Sequence, residues 1–147
     1  MNVTALAFDA LDARTAYDAW RLRQAVFVVE QACPYPDLDG RDPEPGTRHV
    51  LLREDDGLLV GYARVLDDDT QWRIGRVVLT PAARGQGLAD RLMAAALEAC
   101  PGRDVVLDAQ FPLRGWYEGL GFVVDAEGFL EDGIPHIPMR LHANARS

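Results

Sequence analysis

Lysine is missing from this chain of 147 residues: all 15 of its basic residues are arginines. A P-loop of the form GxxxxGK[ST] is therefore excluded, because that motif needs a lysine that reaches the phosphates. Long apolar runs are missing too, and none approaches the ~18 to 20 residues of a membrane-spanning helix. The N-terminus lacks the basic start and apolar stretch of a signal peptide. We therefore expect a cytoplasmic protein without a membrane partner.

Cysteine is scarce, and the two present, Cys33 and Cys100, have no metal-ligand spacing. We expect two buried or half-buried thiols in a reducing cytosol. The acidic stretch Asp37–Asp42 invites comparison with a calcium-binding EF-hand loop. Glycine stands at loop position 4 instead of 6, however, and no glutamate stands at position 12. The sequence therefore predicts no metal site.

Positive charge is also in short supply, since the formal net charge is −8. A nucleic-acid partner is not expected, because a phosphate backbone is bound by a basic surface. Negative potential can draw in a cationic small substrate such as an amine, although an ordinary acidic surface explains the same charge. The length and the hydrophobic share of 48% predict one domain, spanning residues 1–147, with a single packed core.

The most informative stretch runs from Arg76 to Leu97. Arg76–Thr80 is β-branched and apolar, as expected of a buried strand, and Pro81 ends it. Arg84–Ala89 then opens a helix whose apolar residues recur at helical spacing. A strand, a glycine-rich turn and a helix N-terminus together form an anion site, because the first amides of the helix have no partner within it. Glycine at 85 and 87 keeps side chains away from those amides.

The spacing of the glycines distinguishes between phosphate motifs. The dinucleotide pattern GxGxxG is absent, because Gly85-Gln-Gly87 continues as Leu-Ala-Asp90. What is present is Arg-x-x-Gly-x-Ala, from Arg84 to Ala89. Taken alone, the same hexapeptide is also compatible with an ordinary helix-opening turn without a ligand.

The remaining elements predict the order β-α-β-β-β-α-β-α-β-β. The first helix spans Ala13 to about Gln31, with an apolar side and an arginine side. The apolar side comprises Tyr17, Leu22, Val26 and Val29, and the other side carries Arg14, Arg21 and Arg23. An irregular segment, residues 32–46, contains four prolines and is expected to pack on the body of the domain.

Two segments carry a resemblance to a known family. Arg84–Ala89 resembles the acetyl-CoA pyrophosphate loop of the GNAT superfamily of N-acetyltransferases. Gly115–Phe122, about thirty residues later, is similar to that family's φ-Tyr-x-x-x-Gly-Phe segment. Further blocks resemble the ElaA subgroup, so the resemblance covers about residues 17–141. One departure is Phe111-Pro112, where related chains often place Ala-His.

The resemblance implies the GNAT fold: an α/β (α+β) domain with a mixed, mostly antiparallel sheet of six to seven strands and helices on both faces. Its central parallel strands splay apart and hold acetyl-CoA as cosubstrate, with no metal. Here those strands are residues 71–80 and 104–109. The implied cofactor-binding residues are Val77, Val78, Leu79, Arg84, Gly85, Gln86, Gly87, Leu88, Ala89 and Gln110.

The resemblance also implies catalytic candidates. Tyr117 matches the tyrosine that donates a proton or a hydrogen bond to the sulfur of coenzyme A, although its ring can equally serve the core. Glu30 is a candidate base if partial burial raises its pKa, and His136 is another, with a suitable intrinsic pKa. For both, a purely structural or surface role stays open, as does a chain of waters without a single base.

The function implied is transfer of an acetyl group from acetyl-CoA to a primary amine, directly, in a ternary complex. The acceptor is a small-molecule or peptide amine whose identity the sequence leaves open. A homodimer is compatible with the sequence, which does not determine the oligomeric state. The alternative is an acyl-CoA-binding sensor or interaction module on the same fold, with little turnover.

Overall fold

The computed structural model describes residues 1–146, which form a mixed sheet packed between helices. The strands are β1 (Asn2–Leu6), β2 (Arg48–Arg53), β3 (Leu59–Asp67), β4 (Trp72–Leu79), β5 (Val105–Gln110), β6 (Val123–Val124), β7 (Phe129–Glu131) and β8 (Ile134–Leu141). The α-helices are α1 (Ala13–Arg23), α2 (Leu88–Glu98) and α3 (Arg114–Gly119), and a π-helical segment, Gln24–Glu30, continues α1.

The sheet has the order β1-β2-β3-β4-β5-β8-β6, and β7 also pairs with β8. Neighbouring strands are antiparallel except β4 and β5. The predicted fold class is confirmed, with eight strands instead of six to seven. The additional strand β7 forms a hairpin with β8 through Asp132 and Gly133, both of which have positive φ, +51° and +79°. Asp-Gly favours such a tight turn.

The parallel strands β4 and β5 separate along their length. They pair only at Trp72 with Val105 and at Arg73 with Val106, although both strands continue. The pairing of β3 with β4 shifts between Tyr62 and Arg64, which marks a bulge that contains Arg76 in the left-handed region at φ +53°. A bulge bends its strand, so β4 leaves β5 and a gap opens between them.

Two apolar clusters hold helices against opposite faces of the sheet. On one face, α2 and α3 contribute Leu92, Met93, Ala96 and Tyr117 to the larger cluster. On the other face, α1 and the π-helical segment contribute Ala19, Leu22 and Val26, which pack against Leu51, Tyr62 and Val78. Both helical layers are therefore anchored by buried apolar side chains, with the gap between β4 and β5 left between them.

The predicted apolar side of the first helix is wrong in part. Tyr17 and Val29 are 66% and 67% exposed, whereas Arg23 is fully buried. Tyr17 lies five residues before Leu22, which is about 140° around an α-helix, so the two cannot share a face. After Arg23 the wider π-helical turn changes the period and moves Val29 outward.

Buried arginines hold the irregular segment 32–46 in place. Arg23 donates to Asp37 at 3.0 Å and to Asp42 at 2.7 Å, and Arg64 donates to Asp39 at 2.8 Å and to Asp42 at 3.1 Å. Burial is the largest single influence on the pKa of Asp39 and acts to raise it. The hydrogen bonds from Arg64 and from the Arg41 amide, together with the charges of Arg64 and Arg76, outweigh burial and hold that pKa well below its usual range. The aspartates that prompted the calcium comparison are therefore ligands of arginine, and the prediction that this segment packs on the body is confirmed.

Cys33 and Cys100 are both buried and unbonded to each other, as predicted. Within residues 1–146 the structure contains no group of three or more His, Cys, Asp or Glu side chains placed to hold a metal ion. No helix in the same range has both the length and the apolarity to cross a bilayer.

Candidate active site

A cavity of about 340 Å³ occupies the gap between β4 and β5. It brings together seven of the residues that the sequence predicted for the site: Val77, Val78, Leu79, Arg84, Gln110, Tyr117 and His136. Two predicted parts of the site lie outside this lining. Glu30 is next to Arg84 in space, and residues 85–89 follow Arg84 in the sequence. The divergence of two parallel strands thus forms one site from segments 30–60 residues apart in the chain.

The backbone of β4 presents amides to the gap. Thr80 donates its N–H to the Val60 carbonyl at 2.9 Å, on the β3 side. Because successive residues of a strand point their amides to opposite neighbours, Val78 also faces β3, where it pairs with Tyr62. Val77 and Leu79 therefore direct their amides into the gap. Of the three predicted backbone ligands, Val78 lines the cavity without an amide available to a ligand.

The loop before α2 has the geometry of an anion cradle. Gly85 and Gly87 both have φ +75°, a conformation that side chains disfavour. Gly87 is the N-cap of α2, and no side chain caps this helix. In the part of the chain that the structure describes, none of the backbone amides of residues 85–89 donates to another protein group, and the one donor in use there is the side chain of Gln86, which bonds the Ala82 carbonyl at 2.9 Å. These N–H groups and the helix dipole together favour a bound anion.

Arg84 and Glu30 form an exposed ion pair at the rim of the cavity. The guanidinium donates to both carboxylate oxygens, at 2.9 and 3.0 Å. These hydrogen bonds lower the pKa of Glu30, whereas a general base at this position was expected to have a raised pKa. Glu30 therefore lacks the partial burial and the raised pKa on which its role as base depended, because its carboxylate is exposed and paired with Arg84. The sequence did not reveal the pair, which joins residues 54 positions apart.

Tyr117 combines the two roles considered for it. Its ring packs between Trp116, at 4.8 Å between centroids, and Phe122, at 5.9 Å. The residue is only 6% exposed, yet it lines the cavity. Its hydroxyl has no hydrogen-bond partner among residues 1–146. Burial raises the pKa of Tyr117 to about 12, so the phenol is protonated at neutral pH.

His136 lies at the start of β8, opposite Gln110 on β5. Its Nδ1 lies 2.8 Å from the Ile134 carbonyl, and its ring stacks on Phe129 with centroids 5.7 Å apart. A carbonyl only accepts hydrogen bonds, so Nδ1 carries the proton and Nε2 carries the lone pair of the neutral ring. Gln110 donates to Gln31 at 3.3 Å, which ties the end of β5 to the end of the π-helical segment.

The sequence matches the family model of the acetyltransferase (GNAT) domain over residues 23–143. The chain belongs to the GNAT superfamily. UPF0039 protein Rv2851c of Mycobacterium tuberculosis is 47% identical over 133 residues, which are 88% of this chain and 85% of that protein. Escherichia coli protein ElaA is 45% identical over 130 residues, 84% of each chain.

Solved structures agree with this assignment. The crystal structure of Escherichia coli ElaA superposes with a TM-score of 0.90 at 40% identity, over 95% of this chain and 99% of that chain. That of an acyl-CoA N-acyltransferase from Pseudomonas aeruginosa gives 0.89 at 41% identity, with the same coverage. Within the GNAT superfamily the chain is therefore ElaA-like, as the sequence motifs predicted.

Three features of this GNAT site were missed from the sequence. Gln31, which bonds Gln110, was given no role at the site. Arg76 was assigned to a regular strand, and its positive φ has no local signature because glycine is absent there. The aspartates of segment 32–46 were weighed as calcium ligands alone. The sign available in the sequence was the helical spacing of Arg23 with Ala19, Leu22 and Val26, which places an arginine on the buried side and so indicates a carboxylate nearby.

Proposed function

We propose that this protein is an N-acetyltransferase that moves the acetyl group of acetyl-CoA directly to a primary amine in a ternary complex. One observation carries the proposal: a single cavity is lined by Val77, Leu79 and Tyr117 and reaches Arg84, which the loop of unpaired backbone amides, residues 85–89, follows directly. Membership of the GNAT superfamily supports an acyltransferase, and the name of the Pseudomonas aeruginosa structure supports acyl-CoA as the donor.

The donor fits the groups that line the gap. The amides of residues 85–89 would hold its diphosphate, since five N–H donors at a helix N-terminus match a phosphate chain better than any cationic side chain nearby. Val77 and Leu79 would pair with the amides of the pantetheine arm as a neighbouring strand does. One of these N–H groups would then face the thioester carbonyl and stabilise the oxyanion that forms on it.

Direct transfer is favoured over an acyl-enzyme because neither thiol is suited to attack. Cys33 lines the cavity, but its Sγ lies 3.6 Å from the Asp132 carbonyl, and burial raises its pKa. Cys100 is fully buried under α2, where burial raises its pKa to about 12. A cysteine nucleophile needs a lowered pKa and access to the substrate. The amine itself is therefore the nucleophile.

Turnover with amines is the direct test of this function. Release of free coenzyme A from acetyl-CoA, followed with a thiol reagent, is expected to require a primary amine from a panel of polyamines, amino acids, aminoglycosides and peptides. Double-reciprocal plots at several amine concentrations should intersect, as a ternary complex requires, instead of running parallel. Tight acetyl-CoA binding with no turnover on any amine would support the sensor instead.

His136 is the better candidate for the base that takes the proton of the incoming amine. Its Nε2 lone pair is available in the neutral ring, whereas hydrogen bonds from Arg84 lower the pKa of Glu30. His136→Gln is expected to lower kcat/KM by ~10²-fold near pH 7. Glu30→Gln should leave kcat/KM close to that of the unmodified protein. If both variants keep full kcat/KM, neither residue is the base and water must carry the proton.

A further inference from the structure

The bulge of β4 places a strained residue directly before the amides that face the gap. Arg76 has φ +53°, which is unfavourable for a residue with a side chain and is kept only where its surroundings impose it. The next residue, Val77, presents its amide to the gap. If Arg76 relaxed to a negative φ, the following peptide plane would turn away from its present direction.

The side chain of Arg76 is held at several points by the irregular segment 32–46. Its Nε donates to Oδ1 of Asp37 at 2.8 Å, and its Nη2 donates to the Asp37 carbonyl at 3.2 Å. Its guanidinium also lies over the ring of Tyr35, at 5.4 Å from the centroid. These contacts join one residue of the bulge to both the side chain and the backbone of a single aspartate.

Asp37 is in turn fixed to the core. Arg23, which is fully buried, donates to Oδ2 of Asp37 at 3.0 Å and to its carbonyl at 2.7 Å. Asp37 itself is 7% exposed. The two carboxylate oxygens therefore serve two arginines, one anchored in the helical layer and one at the bulge. Asp42 offers a useful contrast, since it binds Arg23 and Arg64 but does not contact Arg76.

We propose that Asp37 is a positioning residue that holds Arg76 in its left-handed conformation and so aims the Val77 amide at the thioester. This inference rests on the proposed function, because it assigns a purpose to the amide that faces the gap. Asp37 acts through Arg76 and touches neither substrate. Segment 32–46 then serves catalysis by fixing the conformation of the bulge in β4, and it supplies no reacting group.

Two pairs of variants at Arg76 and Asp37 test the proposal in an acetyl-CoA turnover assay. Arg76→Ala and Arg76→Gly both delete the side chain, but only alanine disfavours φ +53°. We expect kcat to fall roughly tenfold further in Arg76→Ala than in Arg76→Gly, which is less than the ~10²-fold that a 1 Å misplacement of an aligned group can cost. Asp37→Asn should lower kcat roughly tenfold in the natural chain. The loss should be much smaller in the Arg76→Gly background, because glycine adopts φ +53° without contacts that hold it there.

The control is Asp42→Asn, which also removes a buried carboxylate from Arg23. It should lower the melting temperature without a comparable loss of kcat, and the KM for the amine should stay unchanged in Asp37→Asn and Asp42→Asn. Equal losses in the alanine and glycine variants, the same Asp37→Asn loss in both backgrounds, or an equal loss in Asp42→Asn would overturn the proposal. If Asp42→Asn does not fold, the comparison of the two backgrounds decides alone. Turnover by the unmodified protein tests the proposed function separately.

Discussion

Gly87→Glu is expected to abolish binding of coenzyme A, with the dissociation constant raised by at least ~10²-fold, while the domain stays folded. The substitution puts a carboxylate at the N-cap of α2, on the loop whose amides point to the proposed diphosphate. Repulsion between like charges then replaces the attraction of the helix N-terminus for an anion. Isothermal titration with coenzyme A measures the loss directly.

Part of the effect of Gly87→Glu comes from the backbone, and a second glycine isolates that part. Gly102 follows α2 and has the same φ of +75°, and a Cβ built at either glycine meets no atom within 4 Å. Gly102→Glu therefore adds the same charge and the same strain outside the cavity lining. It should cost stability to a similar extent, about 1–2 kcal/mol, but leave the affinity for coenzyme A unchanged.

Affinity retained in Gly87→Glu would place the diphosphate somewhere other than residues 84–89. Equal loss of affinity in both glycine variants would instead indicate a general effect of added negative charge on an acidic protein. The comparison therefore separates a local cradle from long-range electrostatics, which higher salt would screen. Repeating the titration at several salt concentrations gives the same separation independently.

The features that the sequence predicted well are those that a short segment of the chain determines by itself. The turn from β4 to α2 could be recognised because glycine spacing and an apolar helical period are local signals. The end of β4 was located likewise, because Pro81 stops a run of β-branched and apolar residues. The family resemblance then supplied the divergence of β4 and β5, for which neither strand carries a signal of its own.

What the sequence did not predict depends on contacts between distant segments. Arg23 is buried because Asp37 and Asp42 lie on a segment that returns to it, and helix periodicity contains no information about that return. Arg84 lies 54 positions from Glu30, so helix periodicity gave no sign that its guanidinium would pair with the carboxylate and lower the pKa on which the role of base depended. Arg76 takes a positive φ because long-range contacts impose it. In each case tertiary context overrides the local preference.

The arginine–aspartate contacts also change the interpretation of the acidic composition. A net charge of −8 suggested a negative surface that attracts cations. Yet Asp37 and Asp42 are buried and engaged by arginines, so part of the negative charge serves to hold segment 32–46 against the sheet. Arg64, Arg73 and Arg76 line the cavity with carboxylate partners already in place. Acceptor preference therefore depends on the side chains around the cavity and not on the net charge of the chain.

Tyr117→Phe is expected to lower kcat by ~10²-fold and to leave the KM for acetyl-CoA and the melting temperature close to those of the unmodified protein. The leaving thiolate needs a proton, and the Tyr117 phenol retains its own up to about pH 12 because of burial. Phenylalanine keeps the ring contacts with Trp116 and Phe122. The lost hydroxyl has no partner within residues 1–146, so its removal breaks no hydrogen bond of the fold.

Tyr62→Phe is the matched control, since Tyr62 is also buried but its hydroxyl serves the fold. That oxygen lies 2.6 Å from Nδ1 of His49 and accepts from Arg23 at 3.4 Å. Its removal should cost about 1–3 kcal/mol of stability, because a buried partner is left unsatisfied, while kcat is retained. Tyr117→Phe should therefore lower turnover without affecting stability, and Tyr62→Phe should lower stability without affecting turnover. If Tyr117→Phe keeps full kcat, the phenol is not the acid, and the thiolate must be protonated by solvent that enters the open end of the cavity.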